Sequence, residues 1–133
     1  MYVHKVQYYE TDQMGVVHHS NYLRWMEEAR IDLFEKLGLS YKKVEDDGFN
    51  CPVVSINATY KKPTMFSDSI VIDVKIKELT PVKLIFSYTM TKNNEVVFIG
   101  ESTHCFYKAN SRLINLKKEK PEVYNVLEGY SNQ

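Results

Sequence analysis

Apolar and polar positions change their spacing along this chain, and each change predicts a different element. Tyr2 to Tyr9 is rich in Val and Tyr and reads as a strand, ended by the turn-forming run Glu10-Thr11-Asp12-Gln13-Met14-Gly15. From Tyr22 the period shifts to steps of three and four. Tyr22, Trp25, Met26, Ala29, Leu33, Phe34 and Leu37 are apolar, while Arg24, Glu27, Glu28, Arg30, Asp32, Glu35 and Lys36 occupy most positions between them. This predicts a long amphipathic helix, with Ser20 or Asn21 as its N-cap and Gly38 as the left-handed residue that stops it. A weaker helical stretch follows at Ser40 to Asp47, then a strand from about Cys51 to Tyr60 with Pro52 at its start.

Beyond that point the alternation is two-residue. Ile70, Ile72, Val74 and Ile76 alternate with Val71, Asp73, Lys75 and Lys77, and Val82, Leu84, Phe86, Tyr88 and Met90 with Lys83, Ile85, Ser87, Thr89 and Thr91. Thr80-Pro81 marks one turn, and Asn93-Asn94 predicts a two-residue hairpin because Asn tolerates the positive φ such turns need. The segment Glu95 to Lys108 is apolar at both parities and carries Gly100, where a bend or bulge is expected. A turn at Asn110-Ser111, a short strand at Arg112 to Asn115 and a tail helix opened by Pro121 complete the chain, with Val123, Val126, Leu127 and Tyr130 on the helix's apolar face. The fold class is α+β: one long helix and a five- or six-stranded, mostly antiparallel sheet in a single domain, residues 1–133.

Composition and the spacing of single residue types sharpen this further. A chain of 133 residues with 44% apolar side chains can build a core, but one helix cannot cover both faces of a sheet, so self-association is expected. With 17 basic and 17 acidic side chains there is no bulk positive field for nucleic acid or an anionic membrane. No apolar run approaches the roughly 20 residues that span a bilayer, and the first ten residues alternate instead of forming a signal sequence, so a cytoplasmic chain without membrane insertion is expected. Cys51 and Cys105 lack C-x-x-C spacing and read as reduced thiols. His18 and His19, being adjacent, are expected to point apart, and without a second ligand pair no metal site is predicted.

The densest chemistry lies between Tyr8 and Tyr22, where acid, imidazole and phenol groups sit between a strand end and a helix start. Helix N-termini carry unpaired N–H groups and partial positive charge, suited to a carbonyl oxygen that becomes an oxyanion. Gly15 would let a ligand or backbone come close, and a carboxylate just upstream would activate water or attack an electrophile directly. Read on spacing alone, Asp12 fits a turn or capping residue as well as a catalyst, and Glu27 and Glu28 fit solvated partners of Arg24 and Arg30.

The string itself is distinctive. Tyr8, Thr11-Asp12, Gly15-Val16-Val17, His19, Asn21-Tyr22 and Glu27 followed by Ala29-Arg30 resembles the signature of hotdog-fold acyl-CoA thioesterases of the 4-hydroxybenzoyl-CoA thioesterase family, most nearly the branch associated with the Tol-Pal cluster. The likeness extends over nearly the whole chain, with Tyr60-Lys61-Lys62-Pro63 and the Asp68 turn where such proteins have a strand end and a tight turn. It implies a helix wrapped by an antiparallel sheet, a homodimer or dimer of dimers with sites at the subunit interface, an acyl-CoA substrate, and no cofactor. It further implies Asp12 as the catalytic carboxylate, Tyr8 and His19 as its supporting pair, and Gly15, Val16, Val17, His18, Asn21 and Tyr22 as oxyanion or substrate contacts. Two positions depart from the pattern: residue 10 is Glu where many relatives have Asp, and residue 18 is His where an aromatic such as Tyr is common.

CoA phosphates need cations, and Lys61 and Lys62 are the first candidates, with Lys108, Arg112, Lys117 and Lys118 behind them. A non-catalytic acyl-CoA-binding or scaffold protein of the same fold is the alternative. A hydratase is disfavoured by the lack of an Asp-x-Asn-x-x-His run.

Overall fold

A computed structural model describes residues 1–109 and 112–133, so the expected Asn110-Ser111 turn lies outside the described residues. The elements in order are β1 (Tyr2–Lys5), a 3-10 turn (Tyr8–Glu10), α1 (Ser20–Lys36), α2 (Tyr41–Asp46), β2 (Phe49–Asn50), β3 (Val53–Tyr60), β4 (Ser69–Leu79), β5 (Lys83–Lys92), β6 (Glu95–Cys105), β7 (Tyr107–Lys108), β8 (Arg112–Leu113), α3 (Leu116–Glu119) and α4 (Pro121–Ser131). One sheet has five strands in the order β1-β4-β5-β6-β3, and a small second sheet has the order β2-β7-β8. The register of β1 against β4 is antiparallel, Tyr2 opposite Ile72 and Lys5 opposite Ser69.

Most elements stand where the periodicity puts them, and their boundaries have local causes. Gly38 takes φ of 80° just past α1; its N–H donates to the Glu35 carbonyl at 3.1 Å and that of Leu39 to the Phe34 carbonyl at 2.9 Å, a Schellman closure. Ser40 caps α2 by accepting the Lys43 N–H. Asn93 and Asn94 both adopt positive φ, 50° and 65°, as the β5–β6 hairpin requires.

Four expectations shift. First, the leading strand ends at Lys5, because Glu10 Oε1 accepts the Gln7 N–H at 2.8 Å and draws residues 8–10 into a tight turn that leaves Tyr8 and Tyr9 about three-quarters exposed, at 76% and 75%. Second, α1 already includes Ser20 and Asn21, so neither precedes it as a cap; His18 Nδ1 accepts the Ser20 N–H at 3.3 Å instead. Third, the long last strand is divided: β6 continues past Gly100 to Cys105 and breaks at Phe106, beyond which β7 joins the small sheet by pairing with β2 and β8. Fourth, α4 buries Val123, Tyr124 and Leu127, whereas Val126 and Tyr130 stay half-buried.

The chain divides into two compact units. The first comprises Met1–Leu33, Ala58–Val74 and Tyr88–Gly100; the second comprises Phe34–Asn57, Lys75–Ser87 and Glu101–Gln133. In the first, Trp25, Met26 and Ala29 of α1 are buried together with Ile70, Ile72, Met90 and Phe98. The Tyr22 ring stacks on Phe98 with centroids 5.2 Å apart, and Arg30 Nη1 donates to the Tyr88 hydroxyl at 3.0 Å. In the second, Leu84, Phe86, Phe106, Ile114, Leu116, Val123 and Leu127 are buried. His104 is buried with them. Its Nδ1 donates to the Cys51 carbonyl at 3.0 Å, so in the neutral ring Nε2 accepts the Ser102 hydroxyl at 2.8 Å.

Candidate functional site

The segment between the 3-10 turn and α1 is a closed loop. At its tip the Gly15 N–H donates to the Asp12 carbonyl at 3.0 Å, the Met14 N–H to Asp12 Oδ1 at 2.8 Å, and the Asp12 N–H to the Val16 carbonyl at 2.8 Å. The Asp12 side chain is thereby fixed through one oxygen, while Oδ2 has no protein partner among the described residues. Gly15 adopts φ of 81° with open space where a Cβ would stand, so the turn's backbone conformation, not a close neighbour, is what demands glycine there. The base of the loop is held by Glu10, whose carbonyl accepts the His18 N–H at 2.9 Å and Asn21 Nδ2 at 2.9 Å.

The start of α1 faces this loop with most of its donors in use. The Ser20 N–H goes to His18 Nδ1, the Asn21 N–H to the His18 carbonyl and the Tyr22 N–H to the His19 carbonyl, whereas the His19 N–H has no acceptor among the described residues. The His18 and His19 rings do not point apart: they lie against each other with centroids 4.2 Å apart.

An open cleft of about 290 Å³ is lined by Val16, Val17, His19, Tyr22, Tyr60, Lys61, Lys62 and Pro63. Val16, Val17, His19, Tyr22, Lys61 and Lys62 of the expected site residues therefore share one wall. Tyr60 is the addition: its hydroxyl donates to the His19 carbonyl at 3.2 Å, and its ring meets His19 and Tyr22 edge-on. Tyr22 itself is buried; its hydroxyl pairs with Thr64 Oγ1 at 2.7 Å, and burial pushes its pKa above 10.0. The other candidates lie outside the lining. Tyr8 packs edge-on against Phe66 at 5.7 Å, His18 pairs with Ser20 Oγ, and Asn21 serves as the internal tie to Glu10.

Behind the loop is a polar cluster that the sequence reading does not contain. The Glu10 carboxylate, in a residue only 7% exposed, accepts the Gln7 N–H and His4 Nε2 on Oε1, each at 2.8 Å, and Trp25 Nε1 on Oε2 at 2.7 Å. Burial alone would raise its pKa, but the bonds from Gln7, His4 and Trp25 outweigh that and hold it below the usual 4.5. His4 also meets Glu28 through Nδ1 at 3.1 Å, and Glu28 accepts the Tyr2 hydroxyl at 2.9 Å. Glu28 is thus engaged by His4 and Tyr2, in place of the arginines expected for it. Burial, followed by the bond to Glu28, pushes the Tyr2 pKa up to about 12, so it remains a donor.

The cations sort by their partners. Lys62 is tied to Glu95 at 2.6 Å, while Lys61 is exposed beside it with no ion-pair partner among the described residues. Arg112 and Lys108 share Glu119, and Lys117 lies over the Tyr124 ring. A separate cavity of about 40 Å³ within the second unit is lined almost wholly by apolar groups, among them Phe34, Phe49, Phe106, Ile114 and Leu127. It has room for little more than a solvent molecule or two and no converging polar groups, so the loop and cleft form the candidate site.

A long helix against an antiparallel sheet, entered through a loop that carries a carboxylate and imidazoles, defines a hotdog fold. The chain belongs to the thioesterase-like superfamily, whose profile matches residues 6–127. A Bacillus subtilis protein provisionally named acyl-CoA thioesterase YneP is 36% identical over 126 residues, which is 93% of this chain and 91% of that one. The long-chain acyl-CoA thioesterase FadM of Escherichia coli is 28% identical over 116 residues, 87% of this chain and 83% of FadM. The crystal structure of DHNA-CoA thioesterase from Staphylococcus aureus matches with a TM-score of 0.93 at 27% identity, over 96% of this chain and 87% of the other.

Proposed function

We propose that this protein is an acyl-CoA thioesterase that hydrolyses an acyl-CoA to the free acid and CoA, with Asp12 as the reacting carboxylate. The observation that carries the mechanism is the loop tip, where one oxygen of Asp12 is fixed by the Met14 N–H and the other is open. As a general base, Oδ2 takes a proton from water as the water oxygen bonds to the thioester carbon; as a nucleophile, it bonds to that carbon itself. In either case the carbonyl oxygen gains the charge of a tetrahedral intermediate, which collapses by breaking the carbon–sulfur bond, and the CoA sulfur leaves and is protonated; on the nucleophilic route water then cleaves the resulting anhydride, releasing the free acid and restoring the Asp12 carboxylate. The His19 N–H supplies the oxyanion donor, an interaction worth on the order of 3 kcal/mol. The His19 ring, held edge-on to Tyr60, orients the substrate or water. Tyr8 is the other member of the supporting pair that the string implies, its ring exposed and edge-on to Phe66.

Lys61 is the first choice for CoA phosphates, because Lys62 must leave Glu95 to reach them. The whole chain acts as one hotdog domain, with the continuous superfamily match over residues 6–127 in support. Homodimerisation through β3, the outer strand of the five-stranded order, and association into a dimer of dimers fit that strand's exposure on both faces. No helix among the described residues is long and apolar enough to cross a membrane, in keeping with a cytoplasmic enzyme. The finer placement in the 4-hydroxybenzoyl-CoA family and its Tol-Pal-associated branch rests on the string from Tyr8 to Arg30.

The test is thiol release from short-chain, long-chain and aromatic acyl-CoAs by the wild type and Asp12→Asn. Turnover is expected to fall by about two to four orders of magnitude in the variant. Wild-type turnover in folded Asp12→Asn would remove Asp12 from the chemistry. Binding of acyl-CoAs without thiol release by the wild type would favour the non-catalytic alternative.

A further inference from the structure

We propose that Glu10 is the positioning residue of the site: its buried carboxylate, clamped by Gln7, His4 and Trp25, sets where the Asp12 loop stands relative to the start of α1. The inference rests on the reading of Asp12 as the reacting group. The two ends of Glu10 do different things.

The side-chain end is anchored on three separate pieces of chain. Oε1 accepts the Gln7 N–H and His4 Nε2, and Oε2 accepts Trp25 Nε1, at 2.7 to 2.8 Å. Trp25 is wholly buried on α1 and His4 lies on β1, its ring 4.7 Å from the Trp25 indole, so the carboxylate ties the strand to the helix. The backbone end is at the root of the catalytic loop. The Glu10 carbonyl receives the N–H of His18 and Nδ2 of Asn21, closing the two sides of the loop on each other, and Asp12 and His19 lie just beyond that closure. A displacement of the carboxylate is therefore transmitted through one residue to the separation between Asp12 and the His19 N–H. Reaction rates are steep in such separations, with a misplacement of about 1 Å costing about a hundredfold.

A solvated glutamate in a turn would have none of these bonds, and a residue serving stability alone would not hold both sides of the loop. Charge matters as well as shape. All three groups on the carboxylate are donors, so the amide of Glu10→Gln must turn its own NH2 toward Gln7 and His4 or toward Trp25.

The chain's single tryptophan is the one in this cluster, so its emission reports the cluster directly. The experiment measures kcat, KM and melting temperature for Glu10→Gln, Trp25→Phe, Asp12→Asn and the Glu10→Gln/Asp12→Asn double variant, and tryptophan emission for the variants that keep Trp25. Glu10→Gln is expected to shift the Trp25 emission and lower kcat by about tenfold to a hundredfold with KM within about twofold. Trp25→Phe keeps a ring in the core but removes the donor, and is expected to lower kcat in the same direction by a smaller factor. In the Asp12→Asn background, Glu10→Gln is expected to add nothing, because a residue that acts by placing Asp12 has nothing left to place. Shifted emission with wild-type kcat, or a full further loss in the double variant, overturns the proposal while leaving Asp12 in its role. If Glu10→Gln does not fold, wild-type kcat in Trp25→Phe overturns it. Wild-type turnover in Asp12→Asn overturns the Asp12 reading itself, and the emission shift of Glu10→Gln would then mark a purely structural cluster.

Discussion

Each of the two units holds a histidine by hydrogen bonds, half-buried His4 in the first and buried His104 in the second, and the two rings are used in different ways. In the first unit His4 lies between the carboxylates of Glu10 and Glu28, in a cluster whose far side is the root of a loop open to solvent. In the second, His104 is bonded to a carbonyl and a hydroxyl and faces the Phe86 ring edge-on at 5.4 Å, among residues that bury apolar surface. Ionised groups are costly to bury unless their partners are in place, so a cluster of them is kept where it fixes a geometry. The Cys51 carbonyl and the Ser102 hydroxyl engage the two nitrogens of the His104 ring. The difference separates a unit organised around a site from one organised around a core.

The sharpest way to break that contrast is to compare matched substitutions. Asp12→Asn in the first unit should cost about two to four orders of magnitude in kcat with little change in melting temperature, since the side chain is exposed and makes one bond. Leu127→Ala, at a fully buried site in the second unit, should do the reverse: about 2–5 kcal/mol of stability lost in denaturant unfolding, with the KM of the folded fraction unchanged. If Leu127→Ala altered KM instead, the division of labour would be wrong.

A smaller effect concerns acid. Because the Glu10 pKa is depressed in the fold, its contribution to stability is present above the unfolded value near 4.5 and is lost as pH falls through the folded value. Unfolding followed below pH 4.5 should therefore be less steep with pH in Glu10→Gln than in the wild type. A parallel pair of curves would contradict the ionised cluster. The smallest expected effect is at the cleft mouth: Lys61→Ala should raise the KM for acyl-CoA by about two- to fivefold, more at low salt than at high, and Lys62→Ala by less because of its bond to Glu95. Equal effects would mean that Glu95 does not compete.

The same contrast explains what could be read from the sequence. Helix and strand positions were legible because burial imposes their period: Trp25, Met26 and Ala29 face inward for the reason they are spaced three and four apart, and the Asn93-Asn94 turn has a single backbone requirement. The candidate-site string stands out because its residues are close in sequence. The Glu10 cluster does not, since an acid in a polar run reads as solvated and its partners, His4 and Trp25, reach it only through tertiary packing. The shorter β1 has the same origin, because the Glu10 carboxylate that bends residues 8–10 overrides the strand preference of Tyr8 and Tyr9. Tyr60 had a faint signal as the last aromatic of β3, next to Lys61, but which cleft it would enter depended on where α1 begins.

β3 carries a further consequence. Its sequence, Val-Val-Ser-Ile-Asn-Ala-Thr-Tyr, contains no charge and no proline, it stands last in the sheet order, and Val54 is 63% exposed. Outer strands without a lysine, a proline or a bulge invite pairing with any extended chain that arrives first. For a newly made chain the outcome is then a race in time: meeting a like strand in the right register gives assembly, and meeting an unfolded neighbour gives aggregation. Expression level and temperature decide which encounter is faster, so the yield of soluble protein should be more sensitive to a lysine placed at Val54 than the melting temperature is.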